Sequence, residues 1–245
     1  MQSCICLYFE SNGTLLVKKI WIIGIGRFGL HAVEYFSKKN KDIQLVIVDQ
    51  MKDSLLQAES SNRTLELAEG VSFLERNLNR SAGPDWIVPA LPVHLAAEWC
   101  LTKLKNEGYC RKELPAAVRA LFSNPMEGCT GDIYVSHADF KCPGDCVESR
   151  DICTVTQKTR KRNMFEVLAD IKLPEFQSLV IRSHQLGPGI GGYRPQSLFD
   201  LLKRVKQAGS NLFIGTACRC HGVVTGINQI MHANSIKKRQ NSNRM

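Results

Sequence analysis

The chain has 245 residues, of which 44% are hydrophobic, 7% aromatic and 22% charged, enough for one large domain or two small ones. No apolar run reaches the roughly 18 residues needed to cross a bilayer, and Met1–Glu10 lacks a basic segment followed by a long apolar one, so neither a membrane span nor a signal peptide is expected and the cytoplasm is the expected compartment. The net charge of +9 is mostly local, in the run Lys158, Arg160, Lys161, Arg162 and in the polar tail with Lys237, Lys238, Arg239 and Arg244; with no helix-turn-helix, zinc finger or aromatic platform beside it, this charge does not predict a nucleic-acid partner.

Residues 1–16 read as a flexible extension. The first strand is Val17–Ile23, which runs into Gly24-Ile25-Gly26-Arg27-Phe28-Gly29 and a helix to about Lys39 with Ala32, Val33 and Phe36 on its apolar face. Ile43–Val48 is a continuous apolar run, as expected of a buried parallel strand, and ends at Asp49. A helix over Met51–Glu59, a short strand at Val71–Leu74 and a fourth strand at Asp85–Val88 follow, with Pro89–Pro92 as the exit turn. Val93, Ala96, Ala97, Cys100, Leu101 and Leu104 form a helical stripe that Gly108 ends, leaving His94 and Glu98 as a surface pair.

From Leu114 to Arg162 proline, glycine and cysteine dominate and periodicity fades, which reads as an insert. A helix over Asn163–Ile171, a strand at Ser178–Arg182, a glycine-rich loop from Gly187 to Gly192, a helix with Ser197 as N-cap and a strand at Asn211–Gly215 complete the pattern. Six strands with helices between them predict an α/β fold, a doubly wound, mostly parallel Rossmann-type sheet with a cysteine-rich insertion between the fourth and fifth strands. The expected organisation is a dinucleotide-binding βαβ half over 17–113, the cysteine-rich insert over 114–162, a second α/β half over 163–232 and a basic disordered tail over 233–245.

The Gly24–Gly29 motif follows a strand, opens a helix and is followed by Asp49 at the end of the next strand. Gly24 permits a tight turn, Gly26 lets backbone approach a pyrophosphate, and Gly29 lets helix and strand pack closely. The helix N-terminus offers N–H groups and a positive dipole end to phosphate. Asp49 suits ribose hydroxyls and repels a 2′-phosphate, so NAD is favoured over NADP. Arg27 is either a phosphate contact or a solvated helix residue; Phe28 and Pro89 flank the same turn.

The stretch KIWIIGIGRFGLHAVEYF…IQLVIVD, over residues 17–50, resembles the NAD-binding N-terminal domain of TrkA/RCK-type potassium-transport regulators. That resemblance implies nucleotide binding by Gly24, Gly26, Gly29 and Asp49.

Ten cysteines in a cytoplasmic chain point to metal ligands or redox groups rather than disulfides. Cys142, Cys146 and Cys153 are spaced C-x3-C-x6-C, with Cys129 upstream, and such thiolates can share a zinc or iron–sulfur centre with Cys220 as a further ligand; buried thiols or a disulfide pair are the plainer alternative. Cys218 and Cys220 can instead form a redox pair with His221 lowering a thiol pKa. His184 is a candidate acid/base group. Loops after strand ends face one edge of an open sheet, which would bring Gly24–Gly29, Pro89, His184 and Thr216–His221 together. The expected function is an NAD-dependent redox protein acting on a small-molecule substrate or redox partner. A non-catalytic nucleotide sensor and a group-transfer enzyme are the alternatives; a homodimer fits each.

Overall fold

A computed structural model describes residues 19–173, 175–208 and 211–230. The expected extension at 1–16, with Cys4 and Cys6, and the expected tail at 233–245 lie outside the described residues. The chain forms two units: one from residues up to Leu91, Lys141–Lys161 and Ser183–Gln196, the other from Pro92–Phe140, Arg162–Arg182 and the chain from Ser197 onward.

The first unit begins with β1 (Lys19–Ile23), α1 (Arg27–Lys39), β2 (Gln44–Asp49), α2 (Lys52–Leu56), β3 (Arg63–Leu67), α3 (Gly70–Asn77) and β4 (Trp86–Pro89). The chain then enters the second unit with α4 (Leu95–Leu104), β5 (Tyr109–Arg111), α5 (Ala116–Arg119), β6 (Met126–Glu127), β7 (Ile133–Ser136), α6 (Met164–Ala169) and β8 (Gln177–Arg182). Between β7 and α6, Lys141–Lys161 returns to the first unit. So does the hairpin β9 (His184–Gly187) and β10 (Ile190–Gly192), before α7 (Pro195–Gln207), β11 (Asn211–Ala217) and β12 (His221–Gln229).

The first unit's main sheet is wholly parallel, in the order β3-β2-β1-β4. Its two inner strands are buried along nearly their whole length, which is why Trp21–Ile23 and Leu45–Val48 read as unbroken apolar runs. Ile20, Ile22, Ile47 and Val88 pack with Ala32, Val33 and Phe36 of α1 and with Leu186 and Ile190 of the hairpin. The hairpin is antiparallel, with a register shift between Ile190 and Gly191. Tyr193, just past it, exchanges backbone bonds of 2.9 and 3.0 Å with Ile87 of β4.

Four expectations need correction here. The glycine-rich stretch Gly187–Gly192 is not an open loop; its ends belong to β9 and β10. The expected fifth and sixth strands, β8 and β11, do not extend the parallel sheet; they belong to a separate mixed sheet ordered β6-β7-β12-β11-β8, with β5 also on β12. Val71–Leu74 is helical, within α3, because the Glu69 carboxylate accepts the N–H groups of Val71 and Ser72 at 2.9 and 2.7 Å and caps a helix there. Ser197 likewise lies inside α7 rather than at its cap.

In the second sheet β8 and β11 run parallel and the other described pairs antiparallel. The nine-residue β12 pairs with β11 along its length; on its other side it meets β7 at His221–Val224 and β5 at Ile227–Gln229. A second core of Leu114, Val118, Ile133, Leu168, Phe213 and Val224 lies in this unit. The protein is thus a mixed α/β chain with one parallel and one mixed sheet. No helix among the described residues is long and apolar enough to cross a membrane.

Candidate functional site

The turn from β1 to α1 is held by backbone and by Asp49. Gly24 sits at φ +98° and donates its N–H to Val48 O at 2.8 Å. A side chain at Gly24 would stand 2.7 Å from Ala90 O, and one at Gly29 would stand 2.1 Å from Gly24 O, so both positions require glycine for contact alone. Gly26 is different. Its φ of −65° suits any residue, and nothing lies within 4 Å of where a Cβ would be. It is the N-cap of α1, and among the described residues no side chain caps that helix and no acid stands in its first turn. The contrast with α3, whose first N–H groups Glu69 satisfies, is chemical: among the described residues no side chain takes the N–H groups of the first turn of α1.

Asp49 closes the turn from the next strand. Its Oδ2 accepts the N–H of Ile25 and its Oδ1 that of Met51, each at 2.8 Å, which leaves further lone pairs on both oxygens for hydroxyl donors. Phe28 is 56% exposed with the Arg27 guanidinium 5.5 Å from its ring centre. Pro89 ends β4, and the following Ala90 N–H bonds Ile23 O at 2.8 Å.

The cysteine-bearing segment Lys141–Lys161 belongs to this same unit. Its backbone is docked on the hairpin: Gly189 N–H and the Gln185 side-chain amide both donate to Cys146 O, at 2.9 and 2.7 Å, and Glu148 N–H donates to Gln185 Oε1 at 2.7 Å. A Cβ on Gly144 would stand 3.1 Å from the Arg27 guanidinium, so the segment runs beside the first turn of α1. Cys146 Sγ is 3.5 Å from Thr154 Oγ1. The Thr156 hydroxyl and backbone N–H near its sulfur hold the Cys153 thiol below its ordinary value. His184, on β9, stacks edge-on against Trp86 with ring centres 5.7 Å apart.

The other expected site residues lie in the second unit. Cys129 is exposed, its Sγ 3.9 Å from Pro92 O. Cys218, Cys220 and His221 form the turn between β11 and β12. The expected metal set of Cys129, Cys142, Cys146, Cys153 and Cys220 is therefore divided between the two units. Among the described residues no three His, Cys, Asp or Glu side chains gather as a metal-binding group. The placement of Thr216–His221 at an edge shared with Gly24–Gly29 assumed one continuous sheet, and β11 is in the other one.

His94, which sequence reasoning placed with Glu98 as a surface pair, is buried in a polar network instead, with Glu98 half-buried at its rim. His94, the N-cap of α4, is 2% exposed and Asp132 0%. The Thr225 hydroxyl donates to Asp132 Oδ1, so Thr225 Oγ1 must accept from His94 Nδ1, 2.8 Å away. That fixes the neutral tautomer by elimination, and His94 Nε2 accepts from the Thr216 hydroxyl at 2.8 Å. Burial drives the imidazole pKa down to about 4, against the pull of Asp132. Arg111 donates to Asp132 Oδ1 at 3.0 Å and also pairs with Glu98. Burial raises the Asp132 carboxyl pKa, but its bonds from Arg111, Thr130 and Thr225 outweigh that and hold it below its ordinary value. The i, i+4 spacing of His94 and Glu98 was visible in the sequence; what was not visible is that partners from β5, β11, β12 and the segment before β7 surround them.

Residues 96–230 match the family model described as "Uncharacterized protein, C-terminal domain" (AF_1314_C). An uncharacterized protein of Archaeoglobus fulgidus is 28% identical over 224 residues, covering 84% of this chain and 97% of that protein. No solved structure matches.

Proposed function

The chain belongs to the AF_1314_C family, and since the segment that defines the family begins after β1–β4, we propose that its shared C-terminal part is joined here to a dinucleotide-binding unit of Rossmann type, with NAD as the cofactor. The observation that carries this reading is the mouth of α1: a helix N-terminus with no side-chain cap and no acid in its first turn among the described residues, open space where a Gly26 Cβ would stand, and Asp49 bonded across the turn from β2. In this reading the N–H groups of the first turn bind the pyrophosphate and Asp49 binds the ribose hydroxyls. Arg27, beside the mouth, supplies positive charge. Bound NAD would supply a hydride donor or acceptor. The contact of Gly144 with the Arg27 guanidinium supports a redox use over pure sensing, because Cys142 and Cys146 flank Gly144 in the chain. The resemblance of residues 17–50 to TrkA/RCK-type domains supports the nucleotide and not the use.

Gly26 makes a clean test, since a methyl group there meets nothing in the fold. Gly26→Val should weaken NADH binding in calorimetry by at least about tenfold while costing the unliganded fold no more than the roughly 1 kcal/mol of a lost N-cap glycine. Equal affinity in the two proteins would remove the reading. Turnover of NADH with an artificial electron acceptor then tests the redox use: binding without turnover selects sensing.

A further inference from the structure

The turn between β11 and β12 is Cys218-Arg219-Cys220-His221. It is closed by a Cys218 N–H bond to His221 O at 2.9 Å and braced by a His137 N–H bond to Cys220 O, also 2.9 Å. Within it, Cys218 Sγ accepts the N–H groups of Cys220 and His221 at 3.4 and 3.3 Å. Asp, Asn or Ser commonly fills such a position through oxygen; here a sulfur does. Two N–H dipoles aimed at one sulfur suit a thiolate, and the thiolate is the form that ligates metals.

The second observation is the imidazole. His221 Nδ1 stands 4.0 Å from Cys218 Sγ. That is long for a thiol–imidazole hydrogen bond. It is close to the separation of about 3.6 Å that a sulfur and a nitrogen take on one tetrahedral zinc, with zinc–sulfur near 2.3 Å and zinc–nitrogen near 2.0–2.1 Å. The ladder anchors the two ends of the turn: Ala217, which precedes Cys218, pairs with Gly222, and His221 pairs with Ser136.

We propose that Cys218 and His221 form a two-ligand arm for a zinc-type divalent cation, binding through Sγ and Nδ1 with loss of the thiol proton. The arm supplies two of four tetrahedral positions, and water takes the others, since no third His, Cys, Asp or Glu side chain gathers there among the described residues. This assignment is independent of nucleotide binding in the first unit.

The test uses the full chain, reduced and metal-stripped, titrated with Co2+ and then Zn2+. The native chain should develop a thiolate-to-cobalt charge-transfer band. Cys218→Ser and His221→Gln should each weaken cobalt binding by about tenfold to a hundredfold, and His221→Cys, which restores a ligand, should recover most of it. Unmutated protein gives a second readout: Zn2+ should slow iodoacetamide alkylation of Cys218 about tenfold, read by mass spectrometry, with the exposed Cys129 as the internal comparison. Cobalt affinity unchanged in both Cys218→Ser and His221→Gln, or Cys218 alkylation unaffected by Zn2+, overturns the proposal.

Discussion

Gly29 and His94 show how single positions carry this fold in opposite ways. A methyl group at Gly29 would lie 2.1 Å from Gly24 O, a rigid backbone atom, so Gly29→Ala should destabilise the chain by about 3 kcal/mol in urea unfolding, whereas Gly26→Ala, which meets nothing and gives up only a favourable N-cap residue, should cost about 1 kcal/mol or less. His94 carries a pH dependence. Its folded pKa of about 4 lies below the ordinary 6.5, so between those values the unfolded chain binds the extra proton and stability falls as pH falls. The contribution is fully present above pH 6.5 and lost on acidification to about 4, and its size is about 3 kcal/mol at most. Urea midpoints from pH 7.5 to 4.5 should show this slope, and His94→Asn should flatten it from a lower starting stability.

At the scale of elements, legibility in the sequence tracked how local the cause was. β1, α1 and β2 were readable because buried parallel strands and an amphipathic helix write their pattern into adjacent residues. The glycine turn was readable because its geometry demands Gly24 and Gly29. α3 was misread because four apolar-leaning residues, Val71–Leu74, match either period, and the deciding group is a carboxylate at Glu69. The β9–β10 hairpin and β12 were hidden by their glycines, and the pairing of β12 with β7 joins residues distant in sequence. The His94 network was unreadable for the same reason. It is also where an element-level prediction lies: Arg111→Ala leaves Asp132 buried without its cation, which should cost about 3–5 kcal/mol, and adding Asp132→Asn should recover part of that in the same urea assay.

For the whole molecule, the family segment and the structural units do not share boundaries. Residues 96–230 contain most of the second unit, but also Ser183–Gln196, which packs on β4 and α1, and Lys141–Lys161, which docks on that hairpin. A fragment made to the family limits keeps the second sheet and strips Leu186 and Ile190 of their core. Limited proteolysis should therefore cut such a fragment within 183–196 and within 141–161, while the full chain resists at both places. NADH should protect the full chain further and leave the fragment unchanged.

The hairpin that borders β4 is translated long after the strand it borders. While a ribosome is still making the middle of the chain, Ile87 and its neighbours have emerged with one flank unprotected, and that flank stays adhesive until Tyr193 arrives. A permuted chain that makes residues 183–196 before β4 should therefore refold faster than the native order.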